Sequence, residues 1–537
     1  MSGDRRAFWA AALAAIIVSV PTLGHGFINW DDPAQVMANP LVAGGGPVPV
    51  GEIFRTSVVH QYHPLVTLAF AVEYRIFGSS PLFFHLDNLL VHLFNVFLVS
   101  VLCSRLGIRP GVGLWAGLLC FAIHPAQAAA VASISARKDL MATSFFLLSL
   151  LVYRKRGPGF PGSALALICF LGALLCKATT VTLPLVLLGL EWVLDGLTPR
   201  KIWEKLPFFL LALFFGLQAA RLQPFVEGRA PSAISSAALG VSALGFYMEK
   251  FLFPVGLAPL YPLTPGSFVP GFRDVLGLTA AAGGAVLVSV SAARRRLSPR
   301  GRTAVFGIAF AVVCLLPVLR IVPFGGDEIA ALRFLYLPLA GAAVALGSAP
   351  EGTARPGMPA RLAVVAVVCC WGINGLILER YWGNSRRFWT EVVKRHPGYA
   401  LARHQLGQAY YGAGDYPGAR RECAVSIELR SDQVNPRVIA ALSASQMGDY
   451  ATARRLLEEA ALLLRERGDR AREEEVEKYL RAIPEPPGSI TPVSGAVPGA
   501  RSGFQAPEPA QAQDEYQGAG SRREEQENGR SFREKKR

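Results

Sequence analysis

The chain has 537 residues, 52% of them hydrophobic and only 17% charged, with a mean hydropathy of +0.34. A soluble protein of this length carries more charge, so a wholly soluble globular fold is excluded. The net charge of +15 does not point to nucleic acid. The basic residues sit in short turns between apolar runs, not along a helix face or groove.

Taken in chain order, the first apolar run, Phe8–Val20, follows Arg5 and Arg6 in the manner of a signal peptide. No small-residue cleavage site clearly follows, and the run is read as an uncleaved first span. Apolar runs recur at 7–23, 82–104, 112–131, 139–153, 162–176, 179–195, 206–220, 273–291, 303–319, 334–348 and 362–379. Each approaches the length that crosses a hydrocarbon core as a helix, which gives about eleven spans. The basic clusters are Arg5-Arg6, Arg105 with Arg109, Arg154-Lys155-Arg156, Arg200-Lys201, Arg294-Arg295-Arg296, and Arg355 with Arg361. Each falls on the side reached after an even number of spans. The positive-inside rule then places the N-terminus in the cytoplasm and the region after the last span outside. Residues 236–262 are apolar but interrupted by Glu249, Lys250, Pro254, Pro259 and Pro262, and are read as interfacial or re-entrant. Seven of the eight cysteines lie in apolar runs and read as small buried hydrophobes, with neither zinc spacing nor a disulfide framework.

The first outer loop, 24–81, is rich in aromatic residues and predicts short helices on the membrane surface, where function is expected. Beyond residue 380 the composition turns polar. Gly414-Asp415-Tyr416 recurs as Gly448-Asp449-Tyr450, a period of 34, with Ala419 recurring as Ala453. This period and pattern predict tetratricopeptide (TPR) repeats, with 384–397 as a half-repeat closed by Pro397. Such arrays bind peptide segments or partner proteins, though these repeats could also serve only to pack on one another. Residues 483–537, rich in Pro, Gly, Gln, Glu and Arg, read as disordered. The expected fold is therefore all-α: a polytopic transmembrane bundle over 1–380, a short TPR solenoid over 381–482, and a low-complexity tail over 483–537.

Six of the eight histidines fall between residues 25 and 124. Asp31, Asp32 and Asp139 map to the outer ends of predicted spans, as do the cations Arg137, Lys138, Lys177 and Arg333. Cations on the outer side run against the positive-inside rule and call for a reason. An anionic ligand at that depth supplies one, and a lipid-linked phosphate fits. Asp31-Asp32 read either as a turn with a helix cap before Pro33, or as a general base with a second carboxylate that orients it or binds a metal. His63-Pro64 and His124-Pro125 form a matched pair, either as helix punctuation or as part of an outer site. His85, Asn88, His92 and Asn95 share one helical stripe, and interhelical hydrogen bonding suffices for His92 and Asn95.

The segments Asn29-Trp30-Asp31-Asp32 with Asn39-Pro40, His63-Pro64-Leu65, Phe84-His85 with Asn88 and His92, Phe121-Ala122-Ile123-His124-Pro125, Arg137-Lys138-Asp139, and Lys177 before Thr182-Leu183-Pro184 occur in this order. Together they resemble the TPR-bearing membrane glycosyltransferases of the GT-C superfamily, in particular the TMTC-type O-mannosyltransferases and their bacterial relatives. The resemblance covers about residues 15–475. It implies a polyprenyl-phosphate sugar donor, an inverting transfer on the non-cytoplasmic face, and a hydroxyl acceptor on a protein or envelope glycan. It implies that Asp31 and Asp32 are the catalytic pair, and that Arg137, Lys138 and Arg333 hold the donor phosphate. His63, His85, His124, Asp139 and Lys177 complete the expected substrate-binding set. No organic cofactor is expected, and a divalent metal stays open. Two family carboxylates are replaced: Gln127-Ala128-Ala129-Ala130 follows the second His-Pro, and Leu332-Arg333-Phe334 precedes Tyr336-Leu337-Pro338. The alternative reading is a membrane-anchored TPR scaffold without catalysis. A transporter is disfavoured, because no repeated halves are visible and the polar groups cluster at span ends.

Overall fold

The computed structural model describes residues 3–156, 160–194, 196–222, 233–262, 271–280, 283, 297–319, 330–349 and 358–484. Its regular elements are helical, and the one isolated β-bridge joins Val58 to Gln61. Arg294-Arg295-Arg296, Arg355, most of the predicted span beyond residue 280 and the tail beyond residue 484 lie outside the described residues.

The chain divides into two compact units. One holds residues up to Phe27 and from Gln35 to Gly383; the other takes Ile28–Ala34 together with the chain from Asn384 onward.

Among the described residues of the first unit, five helices have the length and apolar composition to cross a membrane: Gly3–Gly24, Pro81–Arg105, Pro199–Leu222, Pro299–Val318 and Leu362–Tyr381. The protein is thus an integral membrane protein. The apolar run at 112–131, expected as one span, is two helices, Val112–Ile123 and Pro125–Val131, bent by 42°. Pro125 has no N–H to donate into the preceding turn, so the helix breaks at His124-Pro125. The runs expected at 162–176, 179–195 and 334–348 form the shorter apolar helices Ser163–Cys176, Ala178–Val193 and Leu332–Gly347. The last two begin with 3-10 turns, at Ala178–Thr182 and Leu332–Leu335. Helices of unequal length thus occupy these apolar runs.

Small residues set the closest helix crossings. A Cβ on Gly117 would sit 2.3 Å from the Ala343 carbonyl oxygen, and one on Gly307 would sit 2.6 Å from that of Gly341. Backbones approach this closely only where side chains are absent, and lipid supplies no hydrophobic drive to replace the lost packing. Polar groups then join the helices. The His92 ring accepts from the Tyr336 hydroxyl at 2.7 Å and donates to the Ala122 carbonyl at 3.0 Å. Asn95 donates to the Leu140 carbonyl at 2.9 Å and accepts from Ser144 at 2.7 Å. These are the interhelical bonds that the polar stripe predicts for His92 and Asn95.

In the second unit, helices Ser385–Arg395, Ala400–Gly412, Tyr416–Leu429, Asn435–Gln446, Tyr450–Arg467 and Arg470–Ala482 each pack on the next. The repeated Gly-Asp step explains the turns. Gly414 and Gly448 take left-handed φ of 78° and 79°, which a side chain disfavours. Asp415 and Asp449 then cap the following helices, accepting from Gly418 N–H at 2.9 Å and Thr452 N–H at 3.1 Å. A third Gly-Asp step, Gly468-Asp469, does the same off the 34-residue period and was not picked out by the repeat.

Gly117→Val should force the Val112–Ile123 and Tyr336–Gly347 helices apart. Overpacking of this kind costs about 1–3 kcal/mol. The detergent-solubilised variant should lose thermal stability against wild type; an unchanged Tm would contradict the close crossing.

Candidate functional site

The loop 24–81 and the helix starts around it are organised by one buried arginine. Arg137 opens the helix Arg137–Arg156 and is wholly buried. Its Nε donates to Asn88 Oδ1. Nη1 donates to Glu73 at 3.0 Å and to Asp87. Nη2 donates to the Phe84 carbonyl at 2.7 Å, and the guanidinium lies 5.1 Å from the Phe70 ring centroid. Three elements are thereby tied together: the loop helix Pro64–Phe77, the helix Pro81–Arg105 and the helix Arg137–Arg156 itself. Burial pushes the Glu73 carboxyl up to about 6, outweighing the Arg137 charge that favours its ionised form. Asn88 extends the tie by donating to the carbonyls of Val131 and Ser133, at 3.1 and 2.8 Å.

The next residues along that helix serve a different cluster. Lys138 is buried and donates to Gln61 Oε1 at 3.1 Å. Asp139 pairs with Lys177, and its second carboxylate oxygen is buried without a hydrogen-bond partner. The Lys177 ammonium lies 4.6 Å from the centroid of the Phe334 ring, and the Arg333 guanidinium lies 5.3 Å from the same ring. Burial lowers the Lys177 ammonium to about 8; Asp139 opposes that shift, while Lys138 and Arg333 add to it. Lys138 and Arg333 thus lie within electrostatic reach of the Lys177–Asp139 pair. Gln61 reaches Lys138 from a turn in which Val59 and His60 both have left-handed φ, 50° and 53°. A β-branched residue seldom takes that conformation. The paired bonds between Val58 and Gln61, at 2.9 and 3.0 Å, close the turn. Sequence reasoning missed Gln61, which belongs to no motif, and quoted Phe334 only as the neighbour of Arg333.

The histidines divide by role. His124 accepts from Ala126 N–H at 3.2 Å, capping Pro125–Val131, and donates to the Phe251 carbonyl at 3.1 Å. Both ring nitrogens are used by backbone, which is the punctuation reading of this His-Pro step. His63 is buried, with Nδ1 3.3 Å from the Thr67 hydroxyl one turn along its own helix. His85 is buried edge-on to His25, ring centroids 5.8 Å apart. Among the described residues, no group of three His, Cys, Asp or Glu side chains is disposed to hold a metal ion.

Asp31 and Asp32 fold with the repeat unit, whereas Lys138, Asp139, Lys177 and Arg333 belong to the membrane unit. The Asp32 carboxylate is buried and accepts from Ile28 N–H at 2.9 Å, closing a short loop; Asp31 is half-exposed. Inside that loop, Asn29 Oδ1 accepts from the Trp389 indole N–H at 2.8 Å. Asn29 Nδ2 lies 3.1 Å from the Gln405 carbonyl and 3.2 Å from the side-chain oxygens of Gln405 and Gln408.

No model of a known protein family matches the chain. Curated relatives do. Protein O-mannosyl-transferase TMTC2 of Homo sapiens is 42% identical over 206 residues, 38% of this chain and 22% of that protein. Protein O-mannosyl-transferase Tmtc1 of Drosophila melanogaster is 34% identical over 196 residues, 34% of this chain and 22% of that protein. Protein O-mannosyl-transferase TMTC4 of Homo sapiens is 31% identical over 230 residues, 36% of this chain and 30% of that protein. The chain thus resembles TMTC-type membrane glycosyltransferases, and the matches span between 22% and 30% of the length of these three relatives.

Proposed function

We propose that the protein is a membrane glycosyltransferase that moves a sugar from a polyprenyl-phosphate donor to a hydroxyl of a protein or envelope glycan on the non-cytoplasmic face. The observation that supports this reading is the buried Lys177–Asp139 pair at the ends of apolar helices, with Lys138 and Arg333 near enough to act on the Lys177 ammonium. Cations at that depth suit a phosphate whose isoprenoid chain stays in the lipid. Arg137 has every nitrogen engaged by protein groups, so in this reading the phosphate contact passes to the neighbouring cations and Arg137 positions the helix start that carries Lys138 and Asp139. The names of the relatives put mannose and a protein acceptor first.

The chemistry is a single displacement. The half-exposed Asp31 carboxylate takes the proton of the acceptor hydroxyl as its oxygen attacks the anomeric carbon from the face opposite the phosphate. The carbon–oxygen bond to phosphate breaks, its electron pair leaves on the phosphate, and the cations stabilise that charge. Asp32, bonded to Ile28 N–H, holds the turn. The TPR unit presents the acceptor segment. The basic loops support a cytoplasmic N-terminus with the repeats outside.

One observation favours the scaffold reading: Gln127 stands where the family often has a glutamate, and its amide donates to the Phe121 carbonyl at 2.8 Å as a neutral structural group. The aspartates decide between the two.

Asp31→Asn should cut transfer of radiolabelled sugar from polyprenyl phosphate by roughly a hundredfold to ten-thousandfold at equal protein level, and Asp32→Asn should also reduce it. Near wild-type transfer in both variants sinks the catalytic reading. Donor affinity should fall as pH rises from 7 to 9, because Lys177 titrates at about 8 and its charged form binds the phosphate. Lys177→Arg should remove that fall; the same pH dependence in the arginine variant would exclude Lys177. Reporters fused after Arg200 and after Gly398 should report opposite sides of the membrane, and two cytoplasmic signals would overturn the sidedness.

A further inference from the structure

Asn29 lies two residues before the acidic pair, and its carboxamide and backbone N–H are all engaged. Besides the contacts of its carboxamide with Trp389, Gln405 and Gln408, its backbone N–H donates to the Ser385 hydroxyl at 2.9 Å. Trp30 packs edge-on against Trp389, ring centroids 5.2 Å apart. Every one of these partners comes from Ser385–Arg395 or Ala400–Gly412, the first two helices of the repeat unit. Trp389 and Gln405 are fully buried, so their polar atoms serve the interior of the unit and not a free surface. The segment Ile28–Ala34 is grouped with the repeats although the chain on both sides of it is not.

We infer that Trp389, Gln405 and Gln408 are positioning residues for the acidic pair, acting through the Asn29 carboxamide, so that the first repeat helices are part of the catalytic apparatus. This rests on Asp31 and Asp32 being the catalytic pair. A carboxamide is the side chain suited to the position. It offers one acceptor to the indole N–H and two donors to the three oxygens of Gln405 and Gln408. A carboxylate there would present an acceptor to acceptors. With Asn29 held, the bond from Ile28 N–H to Asp32 fixes where Asp32 lies, and Asp31 with it. A displacement of about 1 Å in a reacting group costs as much as a hundredfold in rate, so a firm hold on this turn matters to turnover more than to donor binding. The repeat unit then has a second task beside engaging an acceptor: its first two helices set the geometry of the base.

The test measures kcat and donor KM separately for the full-length protein in membranes, with polyprenyl-phosphate mannose as donor. The variants are Asn29→Asp and Trp389→Phe, each alone and combined with Asp31→Asn. Trp389→Phe keeps a buried ring and removes the N–H. Thermal stability of each variant is measured in parallel. Positioning predicts that kcat falls about tenfold to a hundredfold, that donor KM stays at the wild-type value, and that the loss is much less than additive with Asp31→Asn. Wild-type kcat in both latch variants, with the aspartate variants inactive, overturns this inference and leaves the catalytic reading standing. A parallel loss of kcat, donor affinity and stability, additive with Asp31→Asn, marks general damage to the fold and also overturns it. Near wild-type transfer in the aspartate variants removes the catalytic reading, and this inference with it.

Discussion

Burying a guanidinium completely is costly unless its donors and its charge are matched. Arg137 meets that condition with Glu73, Asp87, Asn88 and the Phe84 carbonyl, and the junction of three helices depends on the result. The loop helix Pro64–Phe77 is held as well by packing of Val66, Phe70 and Ala71 against Phe84, Ile134 and Ala142. Removing either side of the pairing would leave buried charge without a partner, which is more damaging than the pair is stabilising. The position of Arg137 at a helix start also settles its neighbours. Successive residues of a helix point about 100° apart. Arg137, Lys138 and Asp139 therefore serve three different partners: the loop helix, the Gln61 turn and Lys177.

Charge is thus arranged in two adjoining ways on the same helix. Around Arg137 the carboxylates outnumber the cation, and the cation is sealed. Around Asp139, burial together with the nearby Lys138 and Arg333 lowers the paired Lys177 ammonium to about 8, so that it stays mostly charged at neutral pH. In the second arrangement one Asp139 oxygen is buried without a hydrogen-bond partner. A buried, shifted group beside a specific charge partner marks a candidate ligand site.

The repeats show how a short segment can be captured by a solenoid. TPR helices pack through small residues: a Cβ on Gly407 would lie 2.4 Å from Cys423 Sγ. The resulting regularity leaves the first two helices able to hold Asn29 by five polar contacts, which come from residues more than 350 positions away in sequence.

Local chemistry was enough for the broad plan. Apolar composition required helices in lipid, because the backbone has no other way to satisfy its polar groups there. The 34-residue recurrence of Gly-Asp-Tyr located the turns, since a left-handed glycine followed by a capping aspartate is a local device. The order of short motifs gave the resemblance to TMTC-type transferases, and the outer cations gave a candidate anion site. Other features were decided only by contacts between residues far apart in the chain. Nothing near Arg137 in sequence reveals that Glu73, 64 residues earlier, is among the groups that seal its charge. Gln61 reaches Lys138 across 77 residues, and Asn29 reaches Trp389 across 360. The break at His124-Pro125 could be read locally, but the Phe251 carbonyl that fixes the other ring nitrogen could not. Residue type and spacing record what a side chain can do, and burial and the choice of partner, which tertiary packing sets, determine which of those capacities remains.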